Sequence, residues 1–144
     1  MTVTVTPARH WASRSPFDSN RTSWAGFMMR ISDGFKFYFI GHNGCGEDFA
    51  NVRERLGPVD LFAIPIGACV PRDFMKASYC NPKHAVQIVS GPGCRTCGCH
   101  SLWHIQVVLE PLDEPPILLD AAFLQARIDD GRFRALINAE RWTF

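Results

Sequence analysis

The sequence lacks any run of about 18 or more apolar residues, the length that a membrane-spanning helix requires. Its amino terminus has no basic segment followed by an apolar one, so no secretory signal is indicated. The sequence also lacks an excess of charge of one sign. Its net charge of +1 gives no field that would attract nucleic acid. These absences predict a cytoplasmic protein without a nucleic-acid partner.

The residues that are present suit a folded domain. The chain has 144 residues, of which 47% are hydrophobic and 20% are charged, and this is enough apolar material for a single core. It also has 6 cysteines, which without an export signal are expected to be free thiols or metal ligands rather than disulfides. We therefore expect residues 1–144 to belong to one domain.

Apolar periodicity in the first part of the chain predicts strands followed by helices. Thr and Val alternate over residues 1–6, which is typical of a half-buried strand. Aromatic-rich runs at 24–31 and 35–40 predict two strands joined by a tight turn at Asp33-Gly34. Helical spacing follows at 47–56, and Asn81-Pro82 offers an N-cap and a first helical residue for a helix to about Val89.

The later segments continue the alternation of strands and helices. A nearly continuous apolar run at 60–66 predicts a strand covered on both faces of its sheet, and 94–99 predicts the next strand. Residues 111–116 read as a rigid, extended connector before an amphipathic helix at 118–128, and 132–137 as a last strand. The pattern predicts an α/β fold that contains one antiparallel hairpin.

Two histidines follow predicted strands. His42 lies in the glycine-rich loop Gly41–Gly46, and His100 lies at the carboxyl end of the strand at 94–99. In α/β sheets, ligand-binding groups lie in the crevice beyond the carboxyl ends of the strands. We therefore expect both histidines to face the same crevice.

Several longer strings together resemble the metal-dependent N-acylphosphatidylethanolamine phospholipases D of the metallo-β-lactamase superfamily. The strings are TPARHW at 6–11, FDSNRTSWAGF at 17–27, ERLGPVDLFAIPIGACVPRDFMK at 54–76, NPKHAV at 81–86 and EPLDEPP at 110–116. They occur in the family's order and extend over nearly the whole chain. The resemblance implies that residues 1–144 form the carboxy-terminal half of a metallo-β-lactamase αββα sandwich, with a mixed sheet and an antiparallel hairpin.

The resemblance also implies a zinc site, because the family hydrolyses its phosphodiester with two zinc ions. The first half of a family member supplies an H-x-H-x-D-H motif, which this sequence does not contain. His10 matches the family's His in the TPA-x-HW string, and His100 matches the last His by its place before EPLDEPP. His42 stands where the family has a bridging Asp, and a neutral imidazole offers one lone pair where a carboxylate bridges with two oxygens. The resemblance thus places His10, His42 and His100 at the ligand positions of a metal site, although His42 does not replace the bridging carboxylate.

Tyr79 occupies the place of a further family histidine, a proton donor or substrate contact. A phenol with an ordinary pKa near 10 is a less suitable acid at neutral pH.

The family's activity gives an N-acylethanolamine and phosphatidic acid, so the resemblance implies a phospholipid substrate or membrane surface as partner, and peripheral contact with membranes. Trp11, Trp24 and Phe74 are predicted to lie in the core or the cleft wall, and Arg72 to anchor a loop.

Two other hypotheses stay open beside the enzyme. The chain is also consistent with a truncated, inactive homologue or interaction partner, which would form a homo-oligomer through the apolar sheet face that half a sandwich exposes. Alternatively, Cys94-x-x-Cys97-x-Cys99 beside His100 offers soft ligands for zinc. On a strand, however, Cys97 and Cys99 point to one face and Cys94 to the other, which favours buried structural thiols.

Overall fold

The architecture is a sheet with helices packed on one of its faces. A computed structural model describes residues 1–13, 15–21, 23–67, 71–90, 94–100, 111, 114–128, 133–136, 141 and 143, with only the backbone at Arg72, Phe74 and 94–100. The elements are β1 (Thr2–Thr6), β2 (Gly26–Arg30), β3 (Lys36–Phe39), α1 (Asp48–Leu56), β4 (Val59–Pro65), α2 (Arg72–Met75), α3 (Pro82–Ser90), β5 (Cys94–His100), α4 (Glu114–Ala126) and β6 (Phe133–Arg134).

The sheet is mixed, and its strands follow one another in the order β1-β2-β3-β4-β5-β6. The pairs β1–β2 and β2–β3 are antiparallel, whereas β3–β4, β4–β5 and β5–β6 are parallel. In the β2–β3 hairpin, Gly34 donates to the carbonyl of Ile31 at 3.0 Å, and Ile31 donates to the carbonyl of Phe35 at 2.9 Å. Gly34 has φ 93, a left-handed conformation that favours glycine. The predicted mixed sheet and its hairpin are therefore confirmed.

One face of the sheet is covered by helices, and we call it the covered face. Met28, Tyr38 and Phe62 are opposed on neighbouring strands, which places them on this face, and each is at most 5% exposed. They form one apolar core with side chains of the helices, listed here by helix: Phe49 and Val52 of α1, Ala85, Val86, Ile88 and Val89 of α3, and Leu119, Ala122 and Phe123 of α4.

Helix α3 begins as the sequence predicts. The Asn81 Oδ1 accepts the backbone N–H of His84 at 2.9 Å, and Pro82 occupies the first helical position, where its missing N–H costs nothing. The cap fixes the start of a helix whose Ala85 and Val89 are fully buried.

The opposite face of the sheet, which we call the open face, has no described element packed over it. Val3, Val5 and Phe27 are 50%, 66% and 40% exposed. Phe37 and Leu61 are opposed on β3 and β4 and are only half-buried. The apolar run at 60–66 predicted cover on both faces. Leu61 is only half-buried, whereas Val59 and Pro65, which alternation places on the same face as Leu61, are buried, so this prediction is confirmed only in part. A run of apolar residues does not reveal which face has a partner.

Four details of the secondary structure differ from the sequence-based prediction. Helix α4 begins at Glu114, so Pro115 lies in its first turn and not in an extended connector, because proline is tolerated where no intrahelical N–H bond is needed. Within the described residues the last strand comprises Phe133–Arg134, and the short helix α2 was not predicted. Strand β1 is an edge strand in which only Thr6 is buried, so it is less covered than a half-buried strand. No helix in the described part of the chain is long and apolar enough to span a bilayer.

Candidate functional site

The site lies at one edge of the sheet, where several strands end together. Because β1 and β3 are each antiparallel to β2, and β4 and β5 are parallel to β3, these four strands share one direction. Their carboxyl ends therefore meet at the same edge. His10 follows β1, His42 follows β3, and His100 is the last residue of β5, opposite Pro65 of β4.

Three aromatic rings of the site pack against one another. The centroids of the His10 and His42 rings are 5.6 Å apart, and those of His10 and Tyr79 are 5.0 Å apart. The His42 and Tyr79 centroids are 5.9 Å apart, with the ring planes at 85°. We call His10, His42 and Tyr79 the ring cluster. The structure thus brings together side chains from three separate segments of the chain, and of the predicted site residues only the His100 side chain lies outside the described part.

The two nitrogens of His10 have different surroundings. Nδ1 lies 2.7 Å from both the backbone N–H and the carbonyl O of Trp11, and the tautomer of the ring decides which of the two it pairs with. Nε2 is buried and has no hydrogen-bond partner among the described residues. When Nδ1 donates to the carbonyl, Nε2 presents a lone pair, which is the arrangement in which a histidine binds a metal ion.

The ionisation of the other two rings is shifted toward their neutral forms. Although much of the His42 side chain is exposed, nearby protein atoms remove part of its hydration and lower its pKa, and positive charge on His10 lowers it further. Burial raises the pKa of Tyr79 above its ordinary value. The phenol therefore stays protonated at neutral pH and serves as a hydrogen-bond donor more readily than as an acid.

The residues of the site partly fit a metal ion. Neutral His42 and the orphaned Nε2 of His10 are suitable ligands, and imidazole is a ligand that zinc prefers. Within the described side chains, no group of three or more His, Cys, Asp and Glu is close enough to hold a metal. The His100 backbone ends at the correct edge to add a third imidazole. The site lacks a carboxylate at position 42, where the resemblance placed the bridging ligand.

The segment that carries His10 is held by contacts that the sequence did not reveal. The Trp24 indole donates to the carbonyl of Ala8 at 2.8 Å, and the Asn43 Oδ1 accepts the backbone N–H of Arg9. The Arg9 guanidinium forms an ion pair with Asp48 at the start of α1. Sequence reasoning overlooked Asn43 and Asp48, and the only signal was an amide side chain inside a glycine-rich loop.

A shallow cavity adjoins the ring cluster. It is lined by Trp11, Met75, Ser78 and Tyr79, and Trp11 is 50% exposed. Trp11 therefore lies in a cleft wall, one of the two places expected for it, whereas Trp24 is half-buried and binds the main chain. The side chains of Arg72 and Phe74 lie outside the described part.

The cysteine cluster lies on a strand, as the sequence predicts. Cys94, Cys97 and Cys99 belong to β5, and their side chains lie outside the described part of the structure. Of the cysteines whose side chains are described, Cys80 is buried, Cys45 is partly buried, and neither forms a disulfide. The predictions of buried thiols or of a cysteine zinc site on β5 stay predictions.

Comparison with known proteins assigns the family. A family model described as a β-lactamase superfamily domain matches residues 1–97. The chain belongs to this superfamily, which confirms the family that the sequence resembles. It is 37% identical over 148 aligned residues to the N-acyl-phosphatidylethanolamine-hydrolyzing phospholipase D 1 of Caenorhabditis elegans, covering 99% of this chain and 40% of that protein. It is 29% identical over 89 residues to the mitochondrial N-acyl-phosphatidylethanolamine-hydrolyzing phospholipase D of Saccharomyces cerevisiae, covering 60% of this chain and 19% of that protein.

Solved structures share the fold at much lower identity. An isothiocyanate hydrolase from Delia radicum gut bacteria superimposes with a TM-score of 0.72 at 12% identity, covering 99% of this chain and 53% of that one. Unliganded yeast PDE1 superimposes with a TM-score of 0.62 at 9% identity, covering 94% of this chain and 43% of that one. These likenesses establish the α/β fold. The chain spans about two fifths or less of the length of the phospholipase relatives named above.

Proposed function

We propose that this chain contributes to a zinc-dependent hydrolase that cleaves the distal phosphodiester of N-acylphosphatidylethanolamine, giving an N-acylethanolamine and phosphatidic acid. The observation that supports this best is the ring cluster, in which the centroids of the His10 and His42 rings are 5.6 Å apart at the edge where β5 ends in His100. The 37% identity to a named N-acyl-phosphatidylethanolamine-hydrolyzing enzyme supports the substrate.

In this proposal His10, His42 and His100 hold the metal, and Tyr79 contacts the substrate. When bound, zinc supplies positive charge that stabilises the negative charge developing on a phosphoryl oxygen. The Tyr79 phenol, kept protonated by burial, donates a hydrogen bond to a phosphate or leaving-group oxygen. The cavity bounded by Trp11 and Met75 offers apolar surface to the lipid.

The proposal is tested by hydrolysis of N-acylphosphatidylethanolamine in detergent micelles by the purified chain with added zinc. We expect His10→Ala and His100→Ala each to lower turnover and bound zinc more than about 100-fold, since loss of even an outer-shell partner of a metal ligand costs about 10–100-fold. His84→Ala is the matched control, because His84 lies on α3 and its contact with Asn81 uses only its backbone. Full activity in His10→Ala would sink the assignment of the site.

A second candidate function is that of an inactive homologue or interaction partner, and the imidazole at position 42 favours it. A single lone pair does not bridge two cations, so His42 leaves a two-metal centre without its central ligand. His42→Asp separates the two functions. If the chain is an impaired hydrolase, the restored carboxylate raises zinc content and turnover. If neither changes and the wild-type chain binds no zinc, the non-catalytic reading holds.

A further inference from the structure

The loop between β3 and α1 contains a buried amide that contacts the His10 segment. Asn43 is 1% exposed, and its Oδ1 accepts the backbone N–H of Arg9, the residue before His10. Since a backbone N–H only donates, this contact fixes which end of the amide is the oxygen. The Asn43 Nδ2 is buried without a hydrogen-bond partner among the described residues. The amide is thus placed for its contact with Arg9 although its other end is left unpaired.

Gly44, the next residue of the loop, contacts the main chain on both sides: Arg9 on one side and Ala77 on the other. The backbone N–H of Gly44 donates to the carbonyl of Arg9 at 2.7 Å, so the Asn43-Gly44 pair binds both main-chain polar groups of Arg9. On its other side the loop touches the segment before Tyr79, where a Cβ on Gly44 would lie 2.2 Å from the carbonyl O of Ala77. Only glycine allows so close an approach of two backbones.

We propose that Asn43 is a positioning residue for His10: its buried amide, continued by the Gly44 backbone, holds the Arg9 main chain so that the His10 ring keeps its place beside His42 and Tyr79. The effect on the ring is a property of the chain itself. Its consequence for hydrolysis rests on the proposed function.

The other contacts of Arg9 are less suited to this task. The ion pair between Arg9 and Asp48 involves an exposed guanidinium, which solvent screens and which moves on a long side chain. The Asn43 contact acts on the main chain of Arg9, the residue before His10, and the Asn43 side chain is shielded from water. We therefore expect the amide to control the ring orientation more than the ion pair does.

The test measures the His10 ring in the metal-free chain of 144 residues. Long-range proton–nitrogen correlation spectra at about pH 8 report the tautomer of each histidine ring. We expect one dominant His10 tautomer in the wild type and averaged nitrogen shifts in Asn43→Ala. Asn43→Asp keeps the accepting oxygen and is expected to keep the wild-type pattern. Asn51→Ala, an exposed asparagine on α1, is the matched control.

Each outcome decides the proposal. An unchanged His10 pattern in Asn43→Ala, with only a lower Tm, would show a merely structural role and overturn it. Averaged shifts in Asn43→Asp would overturn it as well, because the acceptor would not be the relevant feature. If Asn43→Ala does not fold, Asn43→Ser takes its place, since its shorter hydroxyl does not reach the Arg9 N–H.

The role in positioning and the proposed function fail separately. Zinc titration, followed by the quantity of ion bound, is expected to show a loss of affinity of about tenfold in Asn43→Ala and none in Asn51→Ala. If no variant binds zinc but the ring pattern changes as expected, the positioning role stands and the proposed function fails. If zinc binds and substrate is hydrolysed while the His10 nitrogen shifts do not change in Asn43→Ala, the proposed function stands and the positioning role fails.

Discussion

The two faces of the sheet differ in what covers them, although both are apolar. On the covered face Tyr38 and Ile64 are at most 1% exposed beneath α1, α3 and α4. On the open face Val5 and Phe27, opposed on neighbouring strands, are 66% and 40% exposed. The apolar side chains of the open face therefore contribute little to the stability of this chain, while those of the covered face contribute most of it.

The pattern of β1 sharpens the difference. An edge strand with one face in water usually places its apolar residues toward the core and its polar residues outward. In β1 the arrangement is reversed, because Thr4 lies in line with Met28 on the covered face while Val3 and Val5 lie on the open face. The apolar residues of β1 therefore lie on the open face, where we expect a partner surface rather than water.

The largest predicted effect is on the covered face. Ile64→Ala removes a fully buried side chain and leaves a cavity among side chains that relax only partly. We expect the free energy of unfolding, measured by urea denaturation, to fall by about 2–5 kcal/mol. Val5→Ala on the open face is the matched control, with an expected change below about 0.5 kcal/mol. Equal losses in the two variants would show that the faces are not distinct.

A smaller effect is expected at Tyr38, whose hydroxyl is 3.0 Å from that of Thr6 beneath the covered face. Tyr38→Phe removes this buried hydrogen bond and is expected to cost about 1 kcal/mol of unfolding free energy at neutral pH. The cost depends on pH, because burial raises the Tyr38 pKa above its ordinary value of about 10.

The sign of this dependence follows from the linkage between ionisation and folding. As the pH rises above about 10, the unfolded tyrosine ionises while the folded one stays neutral, so the wild type loses stability until the pH passes the folded pKa. Tyr38→Phe lacks this loss. The stability difference between the two proteins, measured by urea denaturation at increasing pH, is therefore expected to narrow or reverse. A constant difference would contradict the burial of the phenol.

The smallest effect on stability, with a clear effect on association, is expected on the open face. We predict that the chain self-associates through Val3, Val5 and Phe27, which are uncharged and exposed. Val5→Lys is expected to reduce the oligomer fraction in sedimentation velocity while changing unfolding by less than about 0.5 kcal/mol. Thr4→Lys, on the opposite side of the same strand, is the control. If both substitutions reduce the oligomer fraction equally, the chains associate through the backbone edge of β1 and not through the open face.

Local signals in the sequence predicted much of the fold. The Asn81 cap, the spacing of Phe49 and Val52, and the turn at Gly34 each act within a few residues, so they are visible without tertiary information. The start of α4 was missed because a proline in a first turn and a proline in an extended connector look alike in sequence. The open face was expected from the family resemblance, as the apolar sheet face that half a sandwich exposes, whereas the apolar run at 60–66 taken alone predicted cover on both faces.

The candidate site was predictable only in part, for a different reason. The strand ends placed His42 and His100 at one edge, and the family resemblance added His10 and Tyr79. Asn43 was overlooked because its partner Arg9 is 34 residues away, and no periodicity reports a contact of that range. A candidate ligand can be recognised from its own residue type. Its position depends on distant residues whose types do not indicate a ligand or a catalytic group.

The approach of Gly44 to Ala77 is a contact between main chains, and this has a consequence for how such a site changes over time. The contact does not depend on which side chains stand at positions 42 and 79. A carboxylate at position 42 would offer two oxygens to bridge two cations, whereas a neutral imidazole offers one lone pair. Exchange of one for the other at this position would therefore change the number of ions that the proposed site can hold while the backbone frame persists. Selection on the ligand can act here through single substitutions, without rebuilding the fold.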